Sequence, residues 1–329
     1  MPLDYFDKMV IKKFRAVAYV RIMQYMKQRK KIFVVILNFN NELDTIECIN
    51  SLSTITDYEL EVVVVDNNSK NPSLLEEFVS NLSNATFIQS GENRGYAAGN
   101  NIGIRFAIDH NAKYIAILNN DVIVNKDSFS ESIDKLDSMH KVGFVSPTLL
   151  NSESDVIQSQ GLIIHFGSVK YIENLNKGKR YIPKDGFNEC NAIIGACMLF
   201  KPSVIETIGY IPEEYFLNFE ETDWCCNALQ HDLKNFCSLK SFVYHKGSAT
   251  INCYSNLSFY YYNRNIIIFL LKRDPIKIRA VYSIVILIAK SIVKTLICYK
   301  GNKLNKFLLL CYMDGFFRTK LFKNLICKK

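Results

Sequence analysis

Two runs of β-branched residues, IFVVIL at 32–37 and LEVVVV at 60–65, each stop abruptly at a polar cluster, NFNNE and DNNSKNP. A strand apolar at every position must be covered on both faces, which is the signature of parallel strands layered between helices. Between the two runs, Thr45–Ser53 sets Ile46, Ile49 and Leu52 at helical spacing, and Ser73–Leu82 follows Pro72, a residue suited to a first helical turn. The alternation continues with a strand at 85–89, a helix at 95–110 and strands at 113–118 and 142–145. The expected fold class is therefore α/β, a mostly parallel, doubly wound central sheet with helices on both faces. Residues 151–188 are polar and turn-rich and yield no element. Ala192–Phe200 reads as buried, Phe216–Cys226 (FLNFEETDWCC) as an acidic patch, and SFVYH as a strand ending at His245.

The net charge of +8 hides an asymmetry. Residues 1–31 carry nine Lys/Arg against two Asp (+7), residues 270–329 carry fourteen against two (+12), and the middle is acidic (−11). In the C-terminal end the basic residues are interleaved with Ile, Leu and Val, which suits an amphipathic helix on an anionic membrane surface rather than a nucleic-acid arm. Its longest uncharged stretch, Ala280–Ala289, has ten residues, short of the roughly 18–20 that cross a bilayer. Ser283, Leu287, Lys290 and Lys294 share one helical face, so both lysines are expected to reach lipid headgroups; the alternative is a helical hairpin packed on the body or on a second subunit. Met9–Lys31 is a weaker case of the same kind. Ten scattered cysteines without a CxxC read as reduced thiols. The basic N-terminus carries no signal-peptide pattern, so the chain is expected at the cytoplasmic face of the membrane, held peripherally.

Ligands of open α/β sheets sit beyond the carboxyl ends of the strands, which singles out Asn38–Asn41, Asp66–Asn68 and Asn119–Asp121. The turn after the first strand has no glycine, against dinucleotide binding, and the only GK, Gly178-Lys179, is followed by Arg180 rather than Ser or Thr, against a P-loop. Carboxylates remain. Asp66 suits the ring N–H of a uracil or thymine base, or else caps a turn. Asp121 suits Mg²⁺ or Mn²⁺, which take one or two carboxylates and complete their shell with phosphate oxygens, or else caps a helix. Gly95, Gly99 and Gly103 recur every four residues, the spacing of close helix–strand packing, while Asn93 and Asn101 are candidates to face the crevice. Glu220, Glu221 and Asp223 crowd three carboxylates into four positions; mutual repulsion raises at least one pKa and makes a better base at neutral pH. Glu220 reads as a solvated helix start, since Trp224, Cys225 and Cys226 turn the following residues inward. Gly195 and Ala196 let a ligand approach the backbone, and Arg264 is either a pyrophosphate contact or a surface residue.

VVILNFNN, VVVVDNNS, ENRGYAAGNNIGI, LNNDV, GACMLF, FLNFEETDWC and VYHKGSAT, in that order over Ile32–Phe269, resemble the family 2 inverting glycosyltransferases of GT-A fold, in particular the rhamnosyltransferase-like branch of bacterial polysaccharide assembly. The resemblance implies that Phe39 and Asp66 hold the base, with Leu37, Asn38, Asn40, Asn67, Asn93, Arg94, Asn101, Asn119, Asn120, Gly195 and Ala196 around the nucleotide-sugar. It implies Asp121 and His245 as ligands of Mn²⁺ or Mg²⁺, and Glu221 as catalytic base with Asp223 as runner-up. Many family members have Asp-x-Asp where this chain has Asn119-Asn120-Asp121. The implied organisation is a basic helical segment at 1–30, a GT-A domain at 31–255 and a basic, membrane-associating tail of amphipathic helices at 256–329. The implied activity is transfer of a hexose or deoxyhexose, such as rhamnose, from a UDP- or dTDP-sugar to a hydroxyl of a glycan carried on a polyprenyl diphosphate, as in O-antigen or capsule synthesis. The alternative is a catalytically inactive sugar-nucleotide-binding or scaffold protein of the same fold. The sequence leaves homo-oligomerisation open.

Overall fold

In the computed structural model, which describes residues 29–152, 154–168, 171–247, 256–297, 307–323 and 326, the β-branched runs become neighbouring strands. Strand β1 (Lys31–Asn38) pairs in parallel with β2 (Glu59–Asp66) and with β4 (Tyr114–Asn119), and β2 pairs in parallel with β3 (Ala85–Gln89). Alternate residues along β1 and β2 feed opposite layers. Ile32, Val34, Ile36, Val62 and Val64 join one core with helices α1 (Glu42–Leu52) and α2 (Ser73–Ser80). Phe33, Val35, Val63 and Val65 join the other with α3 (Tyr96–Asp109). On that face Gly99 and Gly103 are required by contact: an added β-carbon would lie 2.3 Å from Leu37 Cδ1 at the first and 2.3 Å from Val35 Cγ1 at the second.

The sheet continues past β4 with mixed polarity. Short strand β5 (Val122–Ile123) leads to α4 (Ser130–Ser138) and to β6 (Val142–Asn151), longer than its expected four residues. The segment without a sequence reading supplies short edge pieces: β7 (Ile157–Ser159) on β6, a separate β8 (Leu162–Ile164) and β9 (Ile172–Asn174) ribbon, and β10 (Phe187–Cys190). Strand β11 (Cys197–Phe200) runs antiparallel to β4, followed by α5 (Ser203–Ile208), α6 (Glu220–Gln230) and β12 (Lys234–His245). The order across the sheet is β10-β12-β6-β11-β4-β1-β2-β3.

Helices α7 (Asn256–Arg273), α8 (Lys277–Ile297) and α9 (Leu308–Phe316) pack against the body through Tyr215, Phe219 and Cys226, which share a buried cluster with Ile266–Leu270, Ile284, Leu308 and Tyr312. On the helical face expected to offer lysines to lipid, Ser283 is buried and Leu287 packs on that cluster, while Lys290 is exposed. The open side is apolar: Ile278, Val281, Tyr282, Val285, Ile292 and Val293 are 45–80% exposed. Among the described residues no helix is long and apolar enough to cross a membrane. Residues 1–28, Ser248–Thr250 of the VYHKGSAT motif and the side chain of Lys294 lie outside the described residues. The seven described cysteines are buried.

Candidate active site

In-register pairing sets Asn38 beside Asp66 and Leu37 beside Asn119, so the carboxyl ends of β1, β2 and β4 form one line. Beyond it opens a cavity of about 390 Å³ lined by Leu37, Phe39, Asn67, Asn93, Gly95, Tyr96, Asn119, Asn120, Asp121, Phe216, Leu217, His245 and Leu257. Half of the strand-end residues singled out by the sequence, Phe39, Asn67, Asn119, Asn120 and Asp121, line this space, whereas Asn38, Asn40 and Asp66 stand behind it. The crossover behind it is built from amides. Asn38 Nδ2 donates to Asp66 Oδ2 (2.8 Å), Thr45 Oγ1 donates to Asn38 Oδ1 (2.9 Å), and Asn120 Nδ2 donates to Thr45 Oγ1 (3.0 Å). Asp66 is buried and also accepts the Ser69 N–H at 2.9 Å, so it ties β1 to β2. Asn40, at φ 52°, closes the loop by accepting the Lys70 N–H at 2.9 Å.

His245 reaches Asp121 because the end of β12 pairs with β5, His245 opposite Val122. Nε2 of His245 lies 3.2 Å from Oδ1 of Asp121, and both side chains are largely buried. Two ligands on adjacent corners of an octahedron around Mg²⁺ are about 3 Å apart at the usual bond lengths. The pair thus fits one hard divalent cation, with its other positions open to phosphate oxygens and water. Among the described residues no group of three or more His, Cys, Asp and Glu forms a metal cluster. On its far side the His245 ring meets Gln158 Oε1 at 2.6 Å. That oxygen only accepts, so Nδ1 donates to it and Nε2 is the ring nitrogen turned toward Asp121. Gln158 lies in the stretch that gave no sequence reading; only its place on β7 beside β6 reveals it.

The opposite wall is a loop in an uncommon conformation. Phe216, Asn218 and Phe219 all have φ between 67° and 75°, a region costly for aromatic side chains. The buried side chain of Asn265 overdetermines it, its Nδ2 standing 2.8, 2.8 and 3.0 Å from the carbonyls of Tyr215, Leu217 and Asn218. From the other side Tyr96 N–H donates to Phe216 O at 2.9 Å. Gly95 permits this approach, since at its φ of 97° an added β-carbon would sit 2.2 Å from that oxygen.

The loop delivers α6. Glu220 is buried, not solvated as its position at the helix start suggested, and its Oε2 has no hydrogen-bond partner among the described residues. Burial holds its carboxyl well above the usual range, with the neighbouring Glu221 charge adding to the shift. Burial also raises Glu221, against the opposing pull of nearby backbone N–H groups, including that of Gly195. Glu221 neighbours the cavity-lining Tyr96 through Gly195: a β-carbon added at Gly195 would lie 2.7 Å from the Tyr96 hydroxyl and 3.4 Å from Glu221 Cγ. Tyr96 donates its hydroxyl to Gly195 O at 2.7 Å, and burial beside Glu221 and Glu220 keeps that phenol protonated.

Several other candidate residues point elsewhere. Asp223 is fully buried and ion-paired with Arg273 and with Lys272 (2.8 Å), so it is committed to α7 rather than to a proton in the cavity. Asn101 is turned from the crevice; it brackets Ile211 and donates to Glu213 Oε1 at 3.0 Å. Arg94 is exposed and paired with Glu213 at 2.8 Å. Ala196 is buried, its carbonyl accepting the Asn119 N–H at 2.9 Å within the sheet. Arg264 is neither a surface residue nor part of this cavity; it is buried and donates to the carbonyls of Thr319 and Glu214.

The model of the family described as "Glycosyl transferase family 2" matches residues 33–209, the span that carries β1 through β11 and the strand-end cluster. The chain belongs to this family. It is 30% identical over 208 residues to the low-salt glycan biosynthesis hexosyltransferase Agl10 of Haloferax volcanii, covering 61% of this chain and 62% of that protein. It is 22% identical over 205 residues to the dTDP-rhamnosyl transferase RfbF of Shigella flexneri, covering 61% and 64%. The chain thus spans less than two thirds of the length of these relatives. Among solved structures it resembles the mannosyltransferase PcManGT from Pyrobaculum calidifontis in complex with GDP-Man and Mn²⁺, with a TM-score of 0.57 at 14% identity over 92% of this chain and 94% of that one. TarS 1-349 of S. aureus in complex with UDP-GlcNAc has a TM-score of 0.51 at 17% identity over 87% and 89%. The family 2 chain described above therefore has the GT-A glycosyltransferase fold.

Proposed function

We propose that this family 2 chain is an inverting hexosyl- or deoxyhexosyltransferase that draws on a UDP- or dTDP-sugar and glycosylates a hydroxyl of a lipid-linked glycan. The observation that carries the reading is the single cavity lined by Asp121, His245, Tyr96 and Phe216, with Glu221 a neighbour of Tyr96 through Gly195. Asp121 and His245 would hold Mn²⁺ or Mg²⁺, which when bound offsets charge on a departing diphosphate. Phe39 and Asn67 line the part of the cavity above β1 and β2, where a base would rest. Glu221 takes the acceptor's hydroxyl proton as its oxygen bonds to the anomeric carbon and the sugar–phosphate bond breaks, releasing the nucleoside diphosphate. A raised carboxyl suits that task near neutral pH. The names of the two relatives, a hexosyltransferase of glycan biosynthesis and a dTDP-rhamnosyl transferase, support a hexose or 6-deoxyhexose.

The open apolar face of α8 supports peripheral seating at a membrane, where a lipid-linked acceptor would be presented at the cytoplasmic side; burying such side chains is favourable by about 25 cal/mol per Å². The experiment is to screen UDP-, dTDP- and GDP-sugars with Mn²⁺ for thermal stabilisation and for metal-dependent release of the nucleoside diphosphate. Stabilisation with release supports the transferase; stabilisation without release under any metal and acceptor mixture makes the chain a binding protein.

A further inference from the structure

A second cavity, of about 400 Å³, adjoins the first and shares Asn93 and Phe216 with it. Its other walls are Tyr261, Lys320, Lys323 and the Arg94–Glu213 ion pair. The rings of Phe216 and Tyr261 stack with centroids 4.8 Å apart. Lys323 Nζ lies 5.3 and 5.4 Å from these two rings, and Lys320 Nζ 5.9 Å from Phe216. Among the described residues neither lysine is paired with a carboxylate, whereas Arg94 is neutralised by Glu213.

These lysines are held in place by design of the chain rather than by a loose tail. Asp314 is fully buried and folds the turn that carries them. Its Oδ1 accepts from Thr319 Oγ1 (2.6 Å) and Leu321 N (2.9 Å), and its Oδ2 from Tyr260 Oη (2.7 Å) and Phe322 N (2.9 Å). Arg264 Nε donates to Thr319 O at 2.9 Å, adding a third cation behind the two lysines. A buried carboxylate satisfied by four donors is a costly way to fix a surface turn unless the turn's position matters. Partial burial lowers the proton affinity of Lys320, the like charges of Arg264 and Lys323 add to the effect, and an anion placed between the cations offsets that second part.

We propose that this cavity is a second anion subsite, in which Lys320 and Lys323 bind the diphosphate of the acceptor's lipid carrier and the Phe216–Tyr261 pair packs against the adjoining sugar or prenyl carbons. The proposal rests on the transferase reading above, with the donor's diphosphate assigned to the Asp121–His245 side. Because Phe216 belongs to both cavities, an acceptor seated here lies next to the donor sugar across one aromatic ring.

The test uses the full chain in metal-free buffer, titrated calorimetrically with inorganic pyrophosphate and, separately, with farnesyl diphosphate below its micellar range. Both should bind, with affinity falling about tenfold or more in Lys320→Ala/Lys323→Ala, as expected for the loss of charge-assisted hydrogen bonds. Asp121→Asn and excess UDP should leave both titrations unchanged. Among the described residues neither lysine side chain forms a hydrogen bond or ion pair, so the thermal midpoint of the variant should match wild type; Lys320→Gln/Lys323→Gln serves if it does not. Binding unaffected by the lysine changes, displacement by UDP, or no binding to wild type overturns the subsite. Pyrophosphate binding with farnesyl diphosphate excluded overturns its assignment to a lipid carrier. A separate titration of UDP with Mn²⁺ reads the donor side, so a failure there leaves the lysine result standing by itself.

Discussion

Nε2 of His245 faces Oδ1 of Asp121 at 3.2 Å while its Nδ1 is fixed by Gln158 Oε1 at 2.6 Å. The imidazole is thus oriented from behind by an amide that touches neither Asp121 nor the cavity. Gln158→Met removes the acceptor at similar length and should weaken Mn²⁺ binding in the presence of UDP by about 10–100-fold. Gln158→Glu, which still accepts, should keep it. Electron paramagnetic resonance of free Mn²⁺ measures both; equal affinities in wild type and the Met variant would detach Gln158 from the metal.

Glu221 is raised chiefly by burial and sits beside Gly195 and Tyr96. Glu221→Gln keeps its shape and removes the proton acceptor. Turnover should fall by about 10²–10⁴, with UDP affinity in Mn²⁺ unchanged. A variant that retains a tenth of wild-type turnover would place the base elsewhere.

The parallel half of the sheet was readable because the central residues of β1 and β2 are covered on both faces, so apolar, largely β-branched side chains fill them. The glycines of α3 were readable for the same reason, since their spacing reports the strand beneath. What escaped was set by distant partners. Gln158 belongs to a three-residue edge strand whose register comes from β6, and nothing local distinguishes it from the surrounding polar residues. The acidic patch read correctly as a cluster but not as three separate fates. Asp223 is claimed by Lys272 and Arg273 from α7, whereas Glu220 is buried with no ion-pair partner among the described residues. Asn101 shows the reverse error: it sits in a glycine-rich motif beside crevice residues, yet one helical turn points it at Ile211 and Glu213.

Glu220 gives a pH-dependent test. Burial raises its folded pKa well above the 4.5 of a free glutamate. A raised group contributes stability that is fully present below the unfolded value and is lost as pH rises through the folded one. Glu220→Gln mimics the protonated form at every pH. It should therefore melt with wild type near pH 4 and above wild type at pH 8, by about 2–4 °C for each kcal/mol released. A constant difference across that range would mean the carboxyl is ionised at no unusual cost.

Asn265 and Gly95 hold the same strained loop from two sides. Asn265→Ala strips the donor from three carbonyls, and leaving buried acceptors unpaired should cost about 2–4 kcal/mol. Gly95→Ala forces a β-carbon against Phe216 O at a positive φ, which should cost at least as much. Once either change has released residues 215–219, the other has less to disturb, so the double variant should fall short of the sum. Urea unfolding of the four proteins measures that coupling. Because Phe216 and Leu217 line the cavity, each single variant should also raise KM for the donor more than it lowers the unfolding midpoint of the rest of the sheet. Strict additivity would mean that the two residues support separate structures and that the loop's left-handed run is held by its own local geometry.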